Sequence, residues 1–314
     1  MTVYSRIAGT GSYLPEKILT NADLEKIVET SDQWIRERTG IQQRHIAAEG
    51  QTTVDLAEQA ALRAMEAAGV TGADLDLIVM GTTTPDIIFP SSACLLQARL
   101  GATGCPAFDV NAACSGFVYA LVTAHGLLAM GAERILLIGT DTLARITDWS
   151  DRNTAVLFAD GSGAAVLEHT GGTGQMLGWD LDADGSAEEF LYCDLGGFIR
   201  MDGKEVFRRA VRIMVDSAHK SMAAAGVTVD ELSLVVPHQA NIRIVSAACE
   251  RLGIPMDRAA MVIQDTGNTS SASIPLALFD AADKGRLADG DLVLLVGFGA
   301  GMTAASAVLK WGAR

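Results

Sequence analysis

An internal repeat constrains the fold of this 314-residue chain more than any other feature of its sequence. The segment Ala64–Val79 reads AMEAAGVTGADLDLIV, and Ser221–Val236 reads SMAAAGVTVDELSLVV. Nine of the 16 aligned positions are identical, at an offset of 157 residues. Two further pairs of windows keep nearly the same offset, DVNAACSGF with DTGNTSSAS and ILLIGTD with LVLLVGFG. The period is too long for a solenoid, so the repeat predicts two homologous halves, residues 1–170 and 171–314.

Each half reads as the same run of elements. An alanine-rich helix ends at Gly69 or Gly226, a residue suited to a C-cap, and a strand, a small-residue helix and a final strand follow. The predicted helices are Thr53–Ala68, Cys114–Met130, Lys204–Ala225 and Ser270–Asp283, and the predicted strands are Met1–Gly9, Leu75–Met80, Arg134–Ile138, Ala155–Leu167, Leu232–Val236 and Leu292–Val296. Because apolar strands alternate with helices, both faces of each sheet should be covered, which predicts a layered α/β fold.

Composition and charge exclude several other classes of protein. A net charge of −14 argues against nucleic-acid binding, which needs a basic surface. No signal peptide is visible, and the uncharged stretch Ala112–Ala132 contains small and polar residues typical of a buried helix rather than a membrane span. Five cysteines without CxxC spacing argue against a disulfide framework or a structural metal site. These features predict a cytoplasmic protein with reduced thiols.

Cys114 is the first candidate for chemistry, because it stands in DVNAACSGF where a strand passes into a helix. A thiol at a helix N-terminus faces the positive end of the helix dipole, which should lower its pKa and favour the nucleophilic thiolate. Taken alone, the residue reads more simply as a small buried hydrophobe.

His238 and Asn268 complete the candidate site. His238 follows the strand LSLVV, at the end of a strand where α/β folds hold reactive groups. Asn268, in DTGNTSSAS, lies on the turn that the repeat makes equivalent to the turn of Cys114. A histidine with no catalytic role and a helix-capping asparagine are the plain alternatives. The repeat favours a site because it brings the equivalent loops around one axis.

Taken together, DVNAACSGF, VPHQANIRI and GNTSSASIP resemble the β-ketoacyl-acyl carrier protein synthase III family of the thiolase superfamily, and the resemblance covers essentially the whole chain. It implies a thiolase-like α-β-α-β-α layered fold and a decarboxylative Claisen condensation that starts fatty acid synthesis. The Cys114 thiolate would take the acyl group from an acyl-CoA, most simply acetyl-CoA. His238 and Asn268 would stabilise the enolate formed from malonyl-acyl carrier protein, and the backbone N–H groups of Cys114 and Ala300 would form a second oxyanion hole. No cofactor is implied.

The same resemblance assigns further positions. The CoA and pantetheine contacts would be Trp34, Arg38, Thr39, Arg152, Asn241, Phe207 and Phe298. Phe89 would close the acyl pocket across the interface of a homodimer. The surface that meets the acidic carrier protein would comprise Arg208, Arg209, Arg212, Arg243 and Arg251, which otherwise read as a solvated helix face.

Several alternatives stay open. A homologue in specialised metabolism would carry the same three residues and use another starter or acceptor. Elongating synthases usually carry two histidines, thiolases a second cysteine near the C-terminus, and hydroxymethylglutaryl-CoA synthase a glutamate acid. A papain-like hydrolase also orders Cys, His and Asn along the chain, but the duplicated halves argue against it. A non-catalytic acyl-binding protein has no need of all three residues.

Overall fold

The computed structural model describes residues 3–172 and 174–312, which form thirteen strands and ten α-helices. The strands are β1 (Ser5–Tyr13), β2 (Lys17–Thr20), β3 (Gln43–Ile46), β4 (Leu77–Gly81), β5 (Ala107–Val110), β6 (Arg134–Thr142), β7 (Asp160–His169), β8 (Gln175–Asp182), β9 (Leu191–Tyr192), β10 (Arg200–Met201), β11 (Leu234–Pro237), β12 (Leu292–Gly299) and β13 (Thr303–Lys310). The helices are α1 (Asn21–Leu24), α2 (Asp32–Thr39), α3 (Thr53–Ala68), α4 (Ser92–Arg99), α5 (Gly116–Ala129), α6 (Arg152–Ala155), α7 (Gly203–Ala225), α8 (Ile242–Leu252), α9 (Ile263–Thr266) and α10 (Ser273–Asp283).

The two main sheets share one topology. The first has the strand order β1-β7-β6-β4-β5, and the second, read from its other edge, has β8-β13-β12-β11. In the first sheet β4 pairs in parallel with β6 and β5, and in the second β11 pairs in parallel with β12, while the remaining pairs of both sheets are antiparallel. This correspondence agrees with the duplication in the sequence, while the division at residue 170 remains a prediction.

Side chains on alternate faces of the sheets build five layers. Ile78 and Met80 of β4 point to α3 and α4, while Leu77 and Val79 point to a central layer of α5 and α10. The second sheet packs its inner face on the same two helices and its outer face on α7 and α8. The predicted α-β-α-β-α layered fold is confirmed.

The described elements start or end a few residues from the sequence prediction, for local reasons. Three-residue 3-10 turns, each closed by a Thr capping box, delay β4 and β11 to Leu77 and Leu234. Gly69 and Gly226 end α3 and α7 in the left-handed conformation, as predicted. The predicted strand Ala155–Leu167 begins only at Asp160, because Ala155 closes the short helix α6. The uncharged stretch forms the buried helix α5, and none of the described helices is long and apolar enough to cross a membrane.

Candidate active site

Two equivalent tight turns lead into the central helices α5 and α10. In the first half, Ala113 has φ 48° and opens a 3-10 turn that holds Cys114 and leads into α5. In the second half, Ser270 has φ 51° and opens the matching turn into α10. The two residues are 157 positions apart, so the repeat reproduces the same strained backbone, which costs of order 1–3 kcal/mol at a non-glycine residue. Such strain is characteristic of functional turns that hold a side chain clear of the helix that follows.

A cavity of about 960 Å³ ends at these turns. Its inner wall contains Cys114, His238 and Asn268, so the structure brings the three predicted catalytic residues together. A second cavity, of about 490 Å³, lies on the other side of Cys114. The Cys114 thiol therefore lies where the two cavities meet. This position suits a nucleophile that is reached through one cavity and holds its bound group in the other.

The His238 ring presents one unoccupied nitrogen. The residue is 1% exposed, its Nδ1 lies 2.6 Å from Ser273 Oγ, and Nε2 is buried without a hydrogen-bond partner among the described residues. Phe298 packs edge-on against the ring, with 5.5 Å between centroids. Burial lowers the pKa of His238 to about 3, so the imidazole is neutral at pH 7.

Asn268 is oriented by its own turn. Its Oδ1 accepts a hydrogen bond from Ser270 N at 3.0 Å, the capping contact that the sequence offered as the alternative role. Because a backbone N–H must face the oxygen, the side-chain NH₂ group points the other way, as a donor. The backbone is fixed separately, since Asn268 N donates to Leu157 O and Ala159 N donates to Asn268 O. Capping and a chemical role are therefore compatible.

Cys114 differs from its sequence-based expectation. Burial raises the pKa of the thiol to about 12, the Ser270 hydroxyl opposes the rise, and the charge of Asp141 adds to it. The expected lowering by the helix dipole is therefore wrong for the free protein. The helix itself begins only at Gly116, and burial is the largest cause of the raised pKa. Cys114 is therefore a neutral thiol at pH 7.

The larger cavity is lined by all of the residues predicted to contact CoA except Arg152, which lies beside one of them, Trp34. Arg152 Cζ lies 4.9 Å and Arg38 Cζ 5.9 Å from the centre of the Trp34 ring. Asn241 caps α8 by accepting from Arg243 N, which leaves its NH₂ group free to donate. The wall also contains Phe207, Phe298 and Thr39. The Thr39 hydroxyl is engaged within the protein, donating to Ile35 O and accepting from Ile41 N.

Two further predicted residues lie near the smaller cavity. Ala300 lines it, in the loop that joins β12 to β13. The preceding residue, Gly299, packs on the nucleophile turn so closely that a Cβ there would stand 2.8 Å from Cys114 N. Phe89 follows two lining residues, Ile87 and Ile88, and is 82% exposed. A side chain of that kind on the surface indicates a contact with another molecule.

The five arginines predicted to meet the carrier protein lie on α7 and α8, two helices in contact, and their common surface stays a prediction. Arg243 lines the larger cavity, with its Cζ 5.4 Å from the Phe207 ring centre. Arg209 and Arg212 line a separate cleft beside α7, together with four aspartates. Arg208 is paired with Glu205 on the exposed face of α7, and Arg251 lies in the last turn of α8. The basic residues that line the larger cavity are Arg38, Arg200, Lys204 and Arg243, and only Arg243 belongs to the predicted set.

Sequence reasoning missed the residues that support the candidate site. Ser273 contacts the His238 ring, and no sequence pattern singles it out. Asp141 is fully buried and accepts hydrogen bonds from the Thr82–Thr84 loop and from Ser271. It therefore ties the Thr82–Thr84 loop of the first half to the Asn268 turn of the second. A lone aspartate after a strand gives no signal of such a contact.

Comparison with known proteins identifies the family. The family model described as 3-oxoacyl-[acyl-carrier-protein (ACP)] synthase III matches residues 108–185, and that of its C-terminal part matches residues 222–311. A β-ketoacyl-[acyl-carrier-protein] synthase III of Xanthomonas campestris pv. campestris is 54% identical, over 98% of this chain and 99% of its own.

Solved structures agree with this assignment. The crystal structure of 3-oxoacyl-[acyl-carrier-protein] synthase III from Aquifex aeolicus has a TM-score of 0.96 and 47% identity, covering 98% of this chain and all of its own. The priming β-ketosynthase of the R1128 polyketide pathway has a TM-score of 0.94 and 35% identity, covering 100% and 98% of the two chains. The chain belongs to the β-ketoacyl-acyl carrier protein synthase III family.

Proposed function

We propose that this protein condenses an acyl-CoA, most simply acetyl-CoA, with malonyl-acyl carrier protein and so starts fatty acid synthesis. The observation that carries the proposal is the convergence of one nucleophile, Cys114, with two neutral hydrogen-bond donors, His238 Nε2 and the Asn268 NH₂ group, at the end of one cavity. The family membership supports the reaction class. The products are β-ketoacyl-acyl carrier protein, CoA and carbon dioxide.

In the first step, Cys114 Sγ attacks the thioester carbonyl of the acyl-CoA. The thiol is neutral beforehand, so its proton leaves as the new S–C bond forms and ends on the departing CoA sulfur. The backbone N–H groups of Cys114 and Ala300 hold the tetrahedral oxyanion, with Gly299 allowing the close approach of the two segments. The acyl group stays on Cys114, next to the 490 Å³ cavity.

In the second step, the malonyl thioester occupies the inner end of the larger cavity. The bond to the carboxylate carbon breaks, carbon dioxide leaves, and the electron pair forms an enolate whose oxygen accepts hydrogen bonds from His238 and Asn268. The enolate carbon attacks the acyl carbonyl, the C–S bond to Cys114 breaks, and the thiolate takes a proton from solvent. Both donors are neutral, and they stabilise the negative charge that develops on the enolate oxygen in this step. No step is assigned to a metal or a redox cofactor.

The long arms of both substrates fit the larger cavity. Trp34 and Arg152 stand at its mouth as the two faces of a clamp, and the adenine of CoA would enter between them as the guanidinium moves away from its present contact. Asn241 and Phe207 contact the pantetheine arm. The basic residues that line this cavity favour the approach of an acidic carrier protein, and Arg243 is the member of the predicted set that lies there.

The second copy of a homodimer would complete the acyl pocket. Strand β5 is the edge of the first sheet, and among the described residues its outer side pairs with no other strand. Ile88 and Phe89 are 81% and 82% exposed beside the 490 Å³ cavity. Edge pairing and burial of these side chains by a second chain account for both features. Light scattering of the intact protein tests this part of the proposal, because a homodimer has twice the mass of one chain. We also propose a cytoplasmic location.

A two-part assay tests the proposed reaction. Purified protein is mixed with radiolabelled acetyl-CoA and malonyl-acyl carrier protein, and released CoA, carbon dioxide and ketoacyl product are measured. Wild type should release CoA and carbon dioxide in equal amounts. Cys114→Ala should give no condensation product, and Cys249→Ala, which removes a buried thiol elsewhere, should behave as wild type. Condensation by Cys114→Ala would contradict the proposal. Acylation without discharge by malonyl-carrier protein would favour a specialised acyltransferase.

A further inference from the structure

We infer that Ser273 is a positioning residue that fixes the tautomer of His238, so that the ring presents an N–H, and not a lone pair, to the cavity. The inference rests on the proposed function for its catalytic consequence, although the tautomer itself is independent of any substrate. Ser273 is 1% exposed and stands at the first residue of α10.

The hydrogen bonds around Ser273 allow one proton arrangement that satisfies every group. Its Oγ lies 2.6 Å from His238 Nδ1 and accepts from Gln239 N at 3.3 Å. Among the described residues no carbonyl or carboxylate accepts from Ser273 Oγ. If Nδ1 carried the proton, the hydroxyl oxygen would accept twice and its own proton would have no acceptor. With the hydroxyl donating to a bare Nδ1, all three groups are satisfied, and the ring proton stands on Nε2.

That arrangement explains the buried, unpartnered Nε2. A polar atom left without a hydrogen bond in the interior is costly unless a ligand completes it. As an N–H, Nε2 stabilises an enolate oxygen. As a bare nitrogen, it would direct a lone pair at that oxygen and oppose the same charge. The hydroxyl of Ser273 therefore decides whether the ring favours or disfavours decarboxylation.

The duplicated half shows that the fold does not need this hydroxyl. At the repeat offset of 157, His238 corresponds to Gly81 and Ser273 to Gly116. Those two glycines also touch, since a Cβ at Gly81 would stand 2.6 Å from Gly116 C. Gly116 begins α5 as Ser273 begins α10, although it has no side chain. The same contact is thus backbone on backbone in one half and a histidine–serine hydrogen bond in the other, where the chemistry is.

The test is nitrogen NMR of the full-length protein labelled with ¹⁵N in its histidines. The chain has five histidines, so a His238→Gln variant identifies the two ring signals of His238 by their loss. In wild type we expect a protonated Nε2 and a bare Nδ1. In Ser273→Ala we expect a substantial Nδ1–H population. The matched control is Ser306→Ala, which removes a fully buried hydroxyl bonded to Ser217 and should leave the His238 signals unchanged.

Kinetics gives the second readout. Ser273→Ala should acylate Cys114 from acetyl-CoA at the wild-type rate, within about two-fold, and should release carbon dioxide from malonyl-carrier protein about ten-fold more slowly or worse, mainly in kcat. If this variant fails to fold, Ser273→Gly, which copies the residue of the other half, takes its place.

Three results would overturn the inference: a protonated Nδ1 in wild type, a tautomer unchanged by either substitution, or decarboxylation unchanged when the tautomer has changed. A wild type with the expected tautomer that never condenses would refute the proposed function and leave the positioning role standing.

Discussion

Asn268 provides the sharpest test of the decarboxylation step, because two substitutions separate its two hydrogen bonds. Asn268→Ala removes both the NH₂ donor and the Oδ1 that accepts from Ser270 N. Asn268→Asp keeps an oxygen for Ser270 N and replaces the donor with a second oxygen. The backbone of residue 268 keeps its bonds to Leu157 and Ala159 in both variants, so the fold should survive.

The expected magnitudes follow from what each variant loses. Removing one donor to a developing oxyanion typically costs about 3 kcal/mol of barrier, or about a hundred-fold to a thousand-fold in rate. Both variants lose that donor, so both should slow carbon dioxide release by at least this factor. Only the alanine variant leaves Ser270 N without its acceptor, which should lower its free energy of unfolding by about 1–3 kcal/mol relative to wild type.

The assay separates acylation from decarboxylation. Intact mass follows the acetyl group arriving at Cys114, and labelled carbon dioxide is counted after malonyl-carrier protein is added. Both variants should acylate at near the wild-type rate, because Asn268 acts after CoA has left. If Asn268→Asp decarboxylates within ten-fold of wild type while Asn268→Ala does not, the side chain acts by holding the Ser270 turn, and the donor role is refuted.

Three further predictions concern neighbouring groups. Because burial raises the pKa of Cys114 to about 12, alkylation of the thiol by iodoacetamide should accelerate about ten-fold per pH unit up to about pH 10, and a plateau near neutral pH would indicate a preformed ion pair. Because burial lowers the pKa of His238 to about 3, the unfolded state binds the proton first as pH falls below about 6.5, so His238 should contribute a loss of about 2 kcal/mol in the free energy of unfolding as the pH falls to 5. Urea titrations should show this loss to be smaller in His238→Gln, and equal slopes would contradict it. Trp34→Ala should raise the KM for acetyl-CoA about ten-fold through loss of stacking, yet leave an acetyl-pantetheine substrate unaffected, and equal losses with both would place Trp34 outside the adenine site.

The sequence predicted the layered fold because the duplication is visible in it. Ala64–Val79 and Ser221–Val236 align without a gap, and the apolar strand within each window becomes a buried strand of one of the two main sheets. Glycines after each alanine-rich helix gave the C-caps, since a left-handed cap is a local property. Strand starts were less accurate because short 3-10 turns compete with the strands for the same residues.

The chemistry of the candidate site was harder to read from sequence, because it depends on burial. A helix-start cysteine predicts a lowered pKa, and only the packing around Cys114 shows that lost hydration reverses the shift. Likewise VPHQAN gives a histidine after a strand but not which nitrogen faces the cavity. That depends on Ser273, which lies 35 residues further along the chain. The Asp141 contact to Ser271, which joins the two halves across 130 residues, has no local signal at all.

The proposed function depends on an acyl-Cys114 intermediate, which intact-protein mass spectrometry can detect. The protein is incubated with acyl-CoAs from acetyl to dodecanoyl, mapped by peptide digestion, and then treated with malonyl-acyl carrier protein. We expect one rapid acyl adduct, on Cys114, that disappears as β-ketoacyl-carrier protein and carbon dioxide form. An adduct on another residue, or condensation that proceeds with no adduct at any time, would contradict it.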